Sequence, residues 1–395
     1  MYGSDDATSE PGYREGGDME YRVTVVRSLA SLEQLGEAWA QLLGRSQSGS
    51  IFASYAWNLS WWHSFGAGKS LYVLVATDSE AQIRGIAPLM LDRLGPLRRL
   101  RFIGTGLSDT GDFLLDASCA SECGRAIYAS LRRRRREWDL LDLDEVPPYS
   151  AMSMWLEGNR PPGLHVTRLP RTDAPYIALP ATWKEYTATL GRKPRQHLES
   201  FSRRVVEERD LSFRLVTEGE DVPAAVARFY KLHLARWSTK EDLLNPEHRS
   251  PDFFAFLEEA CERSAAEGSL RLAELCAGDE VIASWISFQV QGRLNGYMTG
   301  FDPAWSKERP GKILHGFVVR QALAEGAQEL DFGRGAEEYK YEMGATNRQN
   351  ARFLLTNNTP RSGLALGMLL LRVKLGPRVR KLVEQYREKR TPSAT

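Results

Sequence analysis

No stretch of this chain approaches the roughly 18 apolar residues that a membrane-crossing helix needs, so no span is expected. Cysteine is scarce. The four residues Cys119, Cys123, Cys261 and Cys276 in 395 are too few for a disulfide scaffold. No CxxC pair or neighbouring histidine completes a zinc site, so no metal is expected. An excess of charge of either sign is also missing: 52 Lys+Arg stand against 51 Asp+Glu, a net +1. That balance excludes a dedicated DNA binder. The first residues, acidic and Gly-rich, lack the apolar core of a signal peptide and the basic character of a transit peptide. Residues 1–19 therefore read as a disordered tail, and the chain is expected in the cytoplasm.

What is present describes folded domains. With 42% hydrophobic and 26% charged residues the chain can bury a sizeable core, and its length suggests two domains. Both halves carry the same order of signals. In the first, LYVLVATDSEAQIRGIAPLML alternates apolar runs about a polar turn and reads as a hairpin. RRLRFIGTG follows as a third strand, then a helix ending in RRRRRE, then the acidic strand WDLLDLDEVP. In the second, LRLAELCAGDEVIASWISFQVQ is a hairpin turned at Ala277-Gly278-Asp279. RLNGYMTGFDPAW is the third strand, GKILHGFVVRQALAEGA the helix, and QELDFGRG the acidic strand. An internal duplication follows from this repeat of a supersecondary unit. The expected boundaries are 20–158 for the first domain, 159–360 for the second, and 361–395 for basic amphipathic helices at the C-terminus. Hairpins combined with helical crossovers indicate a mixed α/β fold.

The joint between third strand and helix differs between the halves. In the second it is Lys307-Glu308-Arg309-Pro310-Gly311-Lys312, a basic loop with a glycine at a helix start. Helix N-termini carry N–H groups without intrahelical partners and a positive dipole end, so this joint suits a diphosphate. On loop chemistry alone, a capped helix with solvated lysines is the commoner meaning of such a joint. The first half offers acids here and no basic Gly loop.

The run NGYMTGFDPAWSKERPGKILHGFVVRQALAEGAQELDFGRGAEEYK resembles the second half of the CelD/BcsL-like acyltransferases, a double-GNAT family related to FemAB-type transferases. FASYAWNLSWWHSF, GIAPLML and FYKLHLARW are similar to earlier segments of that family, so the resemblance runs from about Tyr21 to about Phe353. It departs at the diphosphate loop, where Arg309-Pro310-Gly311-Lys312 stands in place of the usual Arg/Gln-x-x-Gly-x-Gly/Ala. The resemblance implies two tandem GNAT-like domains with mixed central sheets, and acyl transfer from acetyl-CoA or another acyl-CoA held by Arg309, Pro310, Gly311 and Lys312. The acceptor implied is a small molecule, a sugar or an amino-acid-like compound of cell-surface polysaccharide or natural-product biosynthesis. The oligomeric state is not legible.

Such a transfer needs a proton acceptor for the attacking amine and donors for the developing oxyanion. Asp331, at the end of the acidic strand, is the first candidate base or ammonium anchor, or else an N-cap or partner of Arg334. Tyr297 on the third strand is a candidate acid for the leaving thiolate, or a packed ring. Glu338 joins the catalytic candidates, and Arg334, Tyr339 and Lys340 those that shape the acceptor pocket. His233 and Arg236, at i and i+3 on one helix, could face the cleft together. His315 reads as a packing residue. Arg192, Lys193, Arg195, Arg203 and Arg204 concentrate charge in GRKPRQHLESFSRRVVEER, as a solvated face or as a site for a phosphorylated acceptor. The C-terminal apolar block is too short to span a bilayer and suits packing or peripheral membrane contact. Two other readings remain: a FemAB-type aminoacyl-tRNA-dependent transferase, and a non-catalytic assembly factor for exopolysaccharide export. The DFG triplet lacks every other kinase signal.

Overall fold

The computed structural model describes residues 21–159, 163–216, 221–237, 246–357 and 359–371. The expected N-terminal tail and the second C-terminal helix fall outside these residues.

The first half runs β1 (Arg22–Val26), α1 (Leu29–Glu33), α2 (Gly36–Arg45), α3 (Tyr55–Phe65), β2 (Ser70–Leu71), β3 (Val73–Thr77), β4 (Ile83–Ala87), β5 (Leu89–Leu94) and β6 (Leu97–Phe102). It continues with β7 (Leu114–Leu115), α4 (Ala120–Arg133), β8 (Leu140–Val146), α5 (Ala151–Gly158) and β9 (Leu164–Asp173). The expected hairpin is present, and Tyr72 and Pro88 each interrupt one of its arms. Pro88 can donate no ladder hydrogen bond, and its carbonyl instead accepts from Ile103. β1-β3-β4-β7 form one sheet, and β2-β5-β6-β8 lie in that order in a second, with β9 at its far edge.

The second half begins with β10 (Tyr176–Ala178), α6 (Trp183–Thr189), α7 (Arg192–Gln196), a π turn (His197–Phe201), α8 (Ser202–Glu208) and β11 (Leu211–Val216). Then come α9 (Val222–Trp237), α10 (Pro251–Ala266), β12 (Leu270–Ala277), β13 (Glu280–Val290), β14 (Arg293–Phe301), α11 (Pro310–Ala324), β15 (Glu329–Asp331), α12 (Glu338–Glu342) and β16 (Gln349–Asn357). A last helix, α13, covers residues 360–371. A third sheet, built within the second half, has the order β10-β15-β14-β13-β12-β11. Third strand, helix and parallel acidic strand thus recur: β6-α4-β8 in the first half, β14-α11-β15 in the second.

Two strands cross the expected division at residue 159. β9 and β16 both join the first half's sheet, with β16 lying between β8 and β9. Strand pairing is set by where a free edge lies, and β8 offered one. Arginines tie the returning strand down: Arg352 forks onto Asp142 of β8 at 2.7 Å from each nitrogen, and Arg348, just ahead of β16, pairs with Asp331 of β15.

The halves also share one core. α3 presents Trp57 and Trp61 to α9, α10 and the third sheet, and the fully buried Trp57 meets Phe256 edge-on with centroids 4.9 Å apart. Emptying such a site costs about 3–5 kcal/mol, so the halves are held as one body by apolar burial. At the chain's end Ala365 and Leu369 of α13 pack on Leu94, Leu97, Leu140 and Leu354. No helix among the described residues is long and apolar enough to cross a membrane.

Candidate active site

The site forms where β14 leaves β15. Their parallel ladder covers Arg293–Asn295 against Glu329–Asp331 and stops there, while β14 continues to Phe301. On its other edge β14 slips register: Ser287 pairs with Gly296 and Ile286 with Met298, so Tyr297 is an extra residue in a β-bulge. A bulge turns backbone groups out of the ladder and bends the strand. Gly296 and Gly300 serve close approach. A Cβ on Gly296 would meet the Trp285 ring at 2.8 Å, and one on Gly300 would lie 2.6 Å from the backbone nitrogen of His233 on α9.

Beyond Phe301 the chain enters a 3-10 turn capped by Asp302, whose carboxylate accepts from the Ala304 N–H at 2.9 Å. Arg309 then sits at φ 54°, ψ 51°, a left-handed conformation that a bulky residue adopts only at a cost. Pro310 opens α11 with its preset φ, and no side chain caps this helix. Its positive end therefore faces a cavity of about 230 Å³ between β14, α9, α11 and α12. Arg309, Pro310, Gly311 and Lys312 all line it, as do Arg236 and Tyr339. Arg236 is held there by donating to the Thr299 carbonyl at 3.1 Å and lying over the Phe301 ring. Lys312 pairs with Glu342.

His315 forms the inner wall of the same cavity. Its ring lies 4.4 Å from that of Trp285 and 5.1 Å from that of Tyr339. Burial, with Arg236, Lys340 and Lys312 nearby, lowers its pKa to about 3, so the imidazole is neutral. Neither ring nitrogen has a hydrogen-bond partner among the described residues. A buried polar group left unpaired costs stability unless a ligand completes it. The sequence reading of His315 as packing alone misses this.

The remaining candidates lie elsewhere. Leu330 and Phe332 point to the α11 side, so by strand alternation Asp331 points to the opposite face. There its carboxylate accepts from the Gly333 N–H at 2.9 Å and pairs with Arg348. Both oxygens are engaged in fixing the strand end, and Asp331 does not line the cavity. Its expected partner Arg334 pairs instead with Asp109 at 2.8 Å. Glu338 is exposed on α12, because that short helix turns its neighbour Tyr339 inward. Lys340 is buried and donates to the carbonyls of Arg334 at 2.8 Å and Gly335 at 3.0 Å while pairing with Glu337, so its three donors shape the 333–335 turn. Tyr297 packs its ring 5.0 Å from Trp57 and 6.0 Å from Phe52, on the face turned to the first half. His233 is buried there too, stacked on Phe229 and edge-on to His248, and burial above all lowers its pKa to about 4.

One carboxylate that sequence reasoning missed reaches the strand junction from the other half. Asp109, in the loop after β6, lies against Gly333: a Cβ on that glycine, at φ +69°, would collide with the Asp109 carboxylate and come within 3.3 Å of the Gly296 carbonyl. Arg334 clamps this loop by also donating to the Gly106 carbonyl at 3.0 Å. Burial raises the Asp109 pKa, partly opposed by the Arg334 charge. The signal in the sequence was Gly104-Thr105-Gly106 followed by Asp109 and Asp112, but nothing local says that the loop crosses to the second half. Among the described residues no group of three or more side chains is placed to hold a metal.

Residues 192–341 match the acetyltransferase (GNAT) domain family. Among solved structures, FemX aligns with TM-score 0.62 at 10% identity over 83% of this chain and 98% of FemX. A conserved protein of unknown function from Bacteroides thetaiotaomicron aligns with TM-score 0.56 at 13% identity over 85% of this chain and all of its own. The C-terminal domain of an Agrobacterium fabrum protein assigned as a lysylphosphatidylglycerol synthetase aligns with TM-score 0.53 at 11% identity, over 86% and 97% of the two chains. No curated protein matches in sequence. At these identities the likeness is one of fold: a mixed α/β chain whose two halves repeat a strand-helix-strand unit, with the match to the GNAT acetyltransferase domain confined to residues 192–341.

Proposed function

We propose that the protein transfers an acyl group, acetyl foremost, from acyl-CoA to an amine or hydroxyl of a small acceptor, working in the cytoplasm in cell-surface polysaccharide or natural-product biosynthesis. The observation that supports this is the open strand junction: a bulged β14 parting from β15, with the uncapped start of α11 and an unpaired buried imidazole facing one cavity. These features fit a thioester donor. Gly311 and Lys312 at the helix start receive its diphosphate, with Arg309 beside them. The cavity takes the arm, and the bulge at Tyr297 turns backbone groups toward the carbonyl, where an oxyanion develops.

Asp109 takes the role that the sequence assigned to Asp331. Arg334 holds Oδ1 of Asp109, and its Oδ2, which faces Gly333 at the strand junction just outside the cavity lining, anchors the acceptor nitrogen and accepts its proton as the new C–N bond forms and the C–S bond breaks. The thiolate leaves with a proton drawn from the cavity wall, where Tyr339 stands. Attack is direct, since no cysteine or serine occupies a nucleophile motif.

Titrating the full chain with acetyl-CoA, then offering an acceptor panel with several acyl-CoAs and weighing the products, tests this. Binding with a mass gain on an amine or hydroxyl supports it; a folded chain that binds no acyl-CoA sinks it. The likeness to FemX along nearly all of that chain supports a second reading, aminoacyl transfer from a charged tRNA. Activity abolished by ribonuclease treatment of the donor would select it. A chain that binds acyl-CoA yet modifies nothing would be an assembly factor. In α13, Leu364 and Leu371 remain 56% and 57% exposed, and they are the side chains a membrane surface would take. Flotation with anionic vesicles tests that contact.

A further inference from the structure

The basic run near the start of the second domain, residues 192–208, is left unused by the site just described. Residues 192–208 form one helical rod whose middle, His197–Phe201, is wound as a π turn. Leu198 and Val205 anchor it in the second core, and Leu198 seats at Gly316 of α11, where a Cβ would stand 3.0 Å from its methyl. π turns widen a helix by one residue and often mark functional sites. Here the turn stacks His197 on Phe201, with centroids 4.7 Å apart and planes 22° from parallel. Beside this pair lies a cavity of about 640 Å³ walled by Lys193, Arg203, Arg204 and Arg309, with Glu207 the one carboxylate in its lining.

These cations are poorly compensated. Among the described residues Lys193, Arg203 and Arg309 pair with no carboxylate, and Arg204 reaches Glu208 only at 3.8 Å on the open surface, a pair of little worth. The local field is felt by His197, whose pKa falls to about 4 through burial and then the charges of Lys312 and Arg309. Uncompensated positive charge around a stacked ring pair is the chemistry that receives a phosphorylated purine nucleoside: a π face for the base and guanidinium forks for the phosphate. Arg309 belongs to this cavity and to the one at the start of α11, so the two adjoin at the N-terminus of that helix.

We propose that this second cavity holds the 3′-phosphoadenosine end of the donor, with Arg203 and Arg204 on the 3′-phosphate, Phe201 and His197 on the base, and the diphosphate between the cavities at α11. The assignment rests on the acyl-CoA reading above. A transfer RNA also ends in adenosine, but a single bowl beside one helix suits a small donor better than a long backbone.

Calorimetric titration of the full chain with CoA and with 3′-dephospho-CoA tests it. The wild type should bind dephospho-CoA about tenfold more weakly, the effect of one charge-assisted hydrogen bond. Arg203→Ala combined with Arg204→Ala should weaken CoA about tenfold and leave dephospho-CoA within about twofold, abolishing the discrimination. Both arginines are exposed, so an unchanged melting temperature confirms the fold. Equal affinity of the wild type for the two ligands, or a double variant that weakens both alike, overturns this assignment and leaves the acyl-CoA reading standing. A wild type that binds neither ligand but binds aminoacyl-tRNA overturns both.

Discussion

The two halves build the same joint and treat it oppositely. In each, a third strand pairs in parallel with the acidic strand for three residues and then parts from it: β6 with β8 at Arg99–Arg101, β14 with β15 at Arg293–Asn295. In the first half the chain fills its own gap. The loop after β6 packs Phe113 between Phe102 and Tyr128, at 5.9 and 5.7 Å, and buries Asp112, whose pKa is pushed up to about 7 by burial. In the second half the connection is a 3-10 turn and a left-handed Arg309, and the gap stays open. A parted strand pair is thus a frame, and what occupies it depends on the length and bulk of the connection that follows. The filled joint does more than hold itself, because its loop carries Asp109 across to the open one.

The acidic strands, by contrast, are treated alike. Asp142 on β8 and Asp331 on β15 each hold an arginine of the 348–352 segment. Asp142→Asn and Asp331→Asn should each cost on the order of 3 kcal/mol, since each leaves a mostly buried arginine without its main anion. Urea unfolding measures this, and turnover per folded molecule should stay near wild type. If Asp331→Asn kept its stability and lost turnover, the two strands would no longer be equivalent, and Asp331 would return to the mechanism.

Asp109→Asn should lower turnover about 10²-fold with donor affinity unchanged, the loss expected for a general base. Steady-state kinetics separates the two, and a change in donor binding alone would break the assignment. Next, a carboxylate placed at each helix start should distinguish the joints. Gly311→Asp has room, its Cβ 4.0 Å from the nearest Phe301 carbon, and should weaken acyl-CoA roughly 10- to 100-fold by like-charge repulsion. Ser121→Asp in the first turn of α4 should leave donor affinity unaltered. Equal effects would mean that the open joint is not the donor site.

Smaller effects concern the contact between the halves. Gly333→Ala forces a side chain into φ +69° and against the Asp109 carboxylate, and should cost about 1–3 kcal/mol, read as a lower melting temperature. The last prediction concerns α11, since α4 has no histidine. His315 is held neutral in the fold, with a pKa near 3, while the unfolded chain protonates near the ordinary 6.5. Between those values the unfolded state binds more protons, so the wild type loses stability relative to His315→Gln as pH falls below about 6.5. The loss is at most about 1.4 kcal/mol per pH unit. Unfolding free energies of the two proteins at pH 7 and 5.5 give the difference, and parallel values would mean that the imidazole is not buried neutral.

Much of this was legible in the chain. Period-two runs, turn residues and the placement of Pro310-Gly311 fixed both hairpins, the third strands, α11 and the α/β class, because those signals are local: they depend on neighbours within a turn or a strand. The loop 307–312 likewise stood out as a helix start, and the structure lines one cavity there with Arg309 to Lys312, Arg236 and Tyr339. Asp331, Glu338, Lys340 and Tyr297 were misplaced for a different reason. A residue near a strand end can face either side of a sheet, and what meets it there comes from distant sequence: Arg348 for Asp331, Trp57 for Tyr297. Tertiary structure alone decided that β16 returns to the second sheet, beside β8, that Asp109 crosses between halves, and that His315 lacks a partner among the described residues. Each is a long-range pairing or its absence, set by which edges and cavities remain once both halves have packed, and no spacing along the chain encodes that.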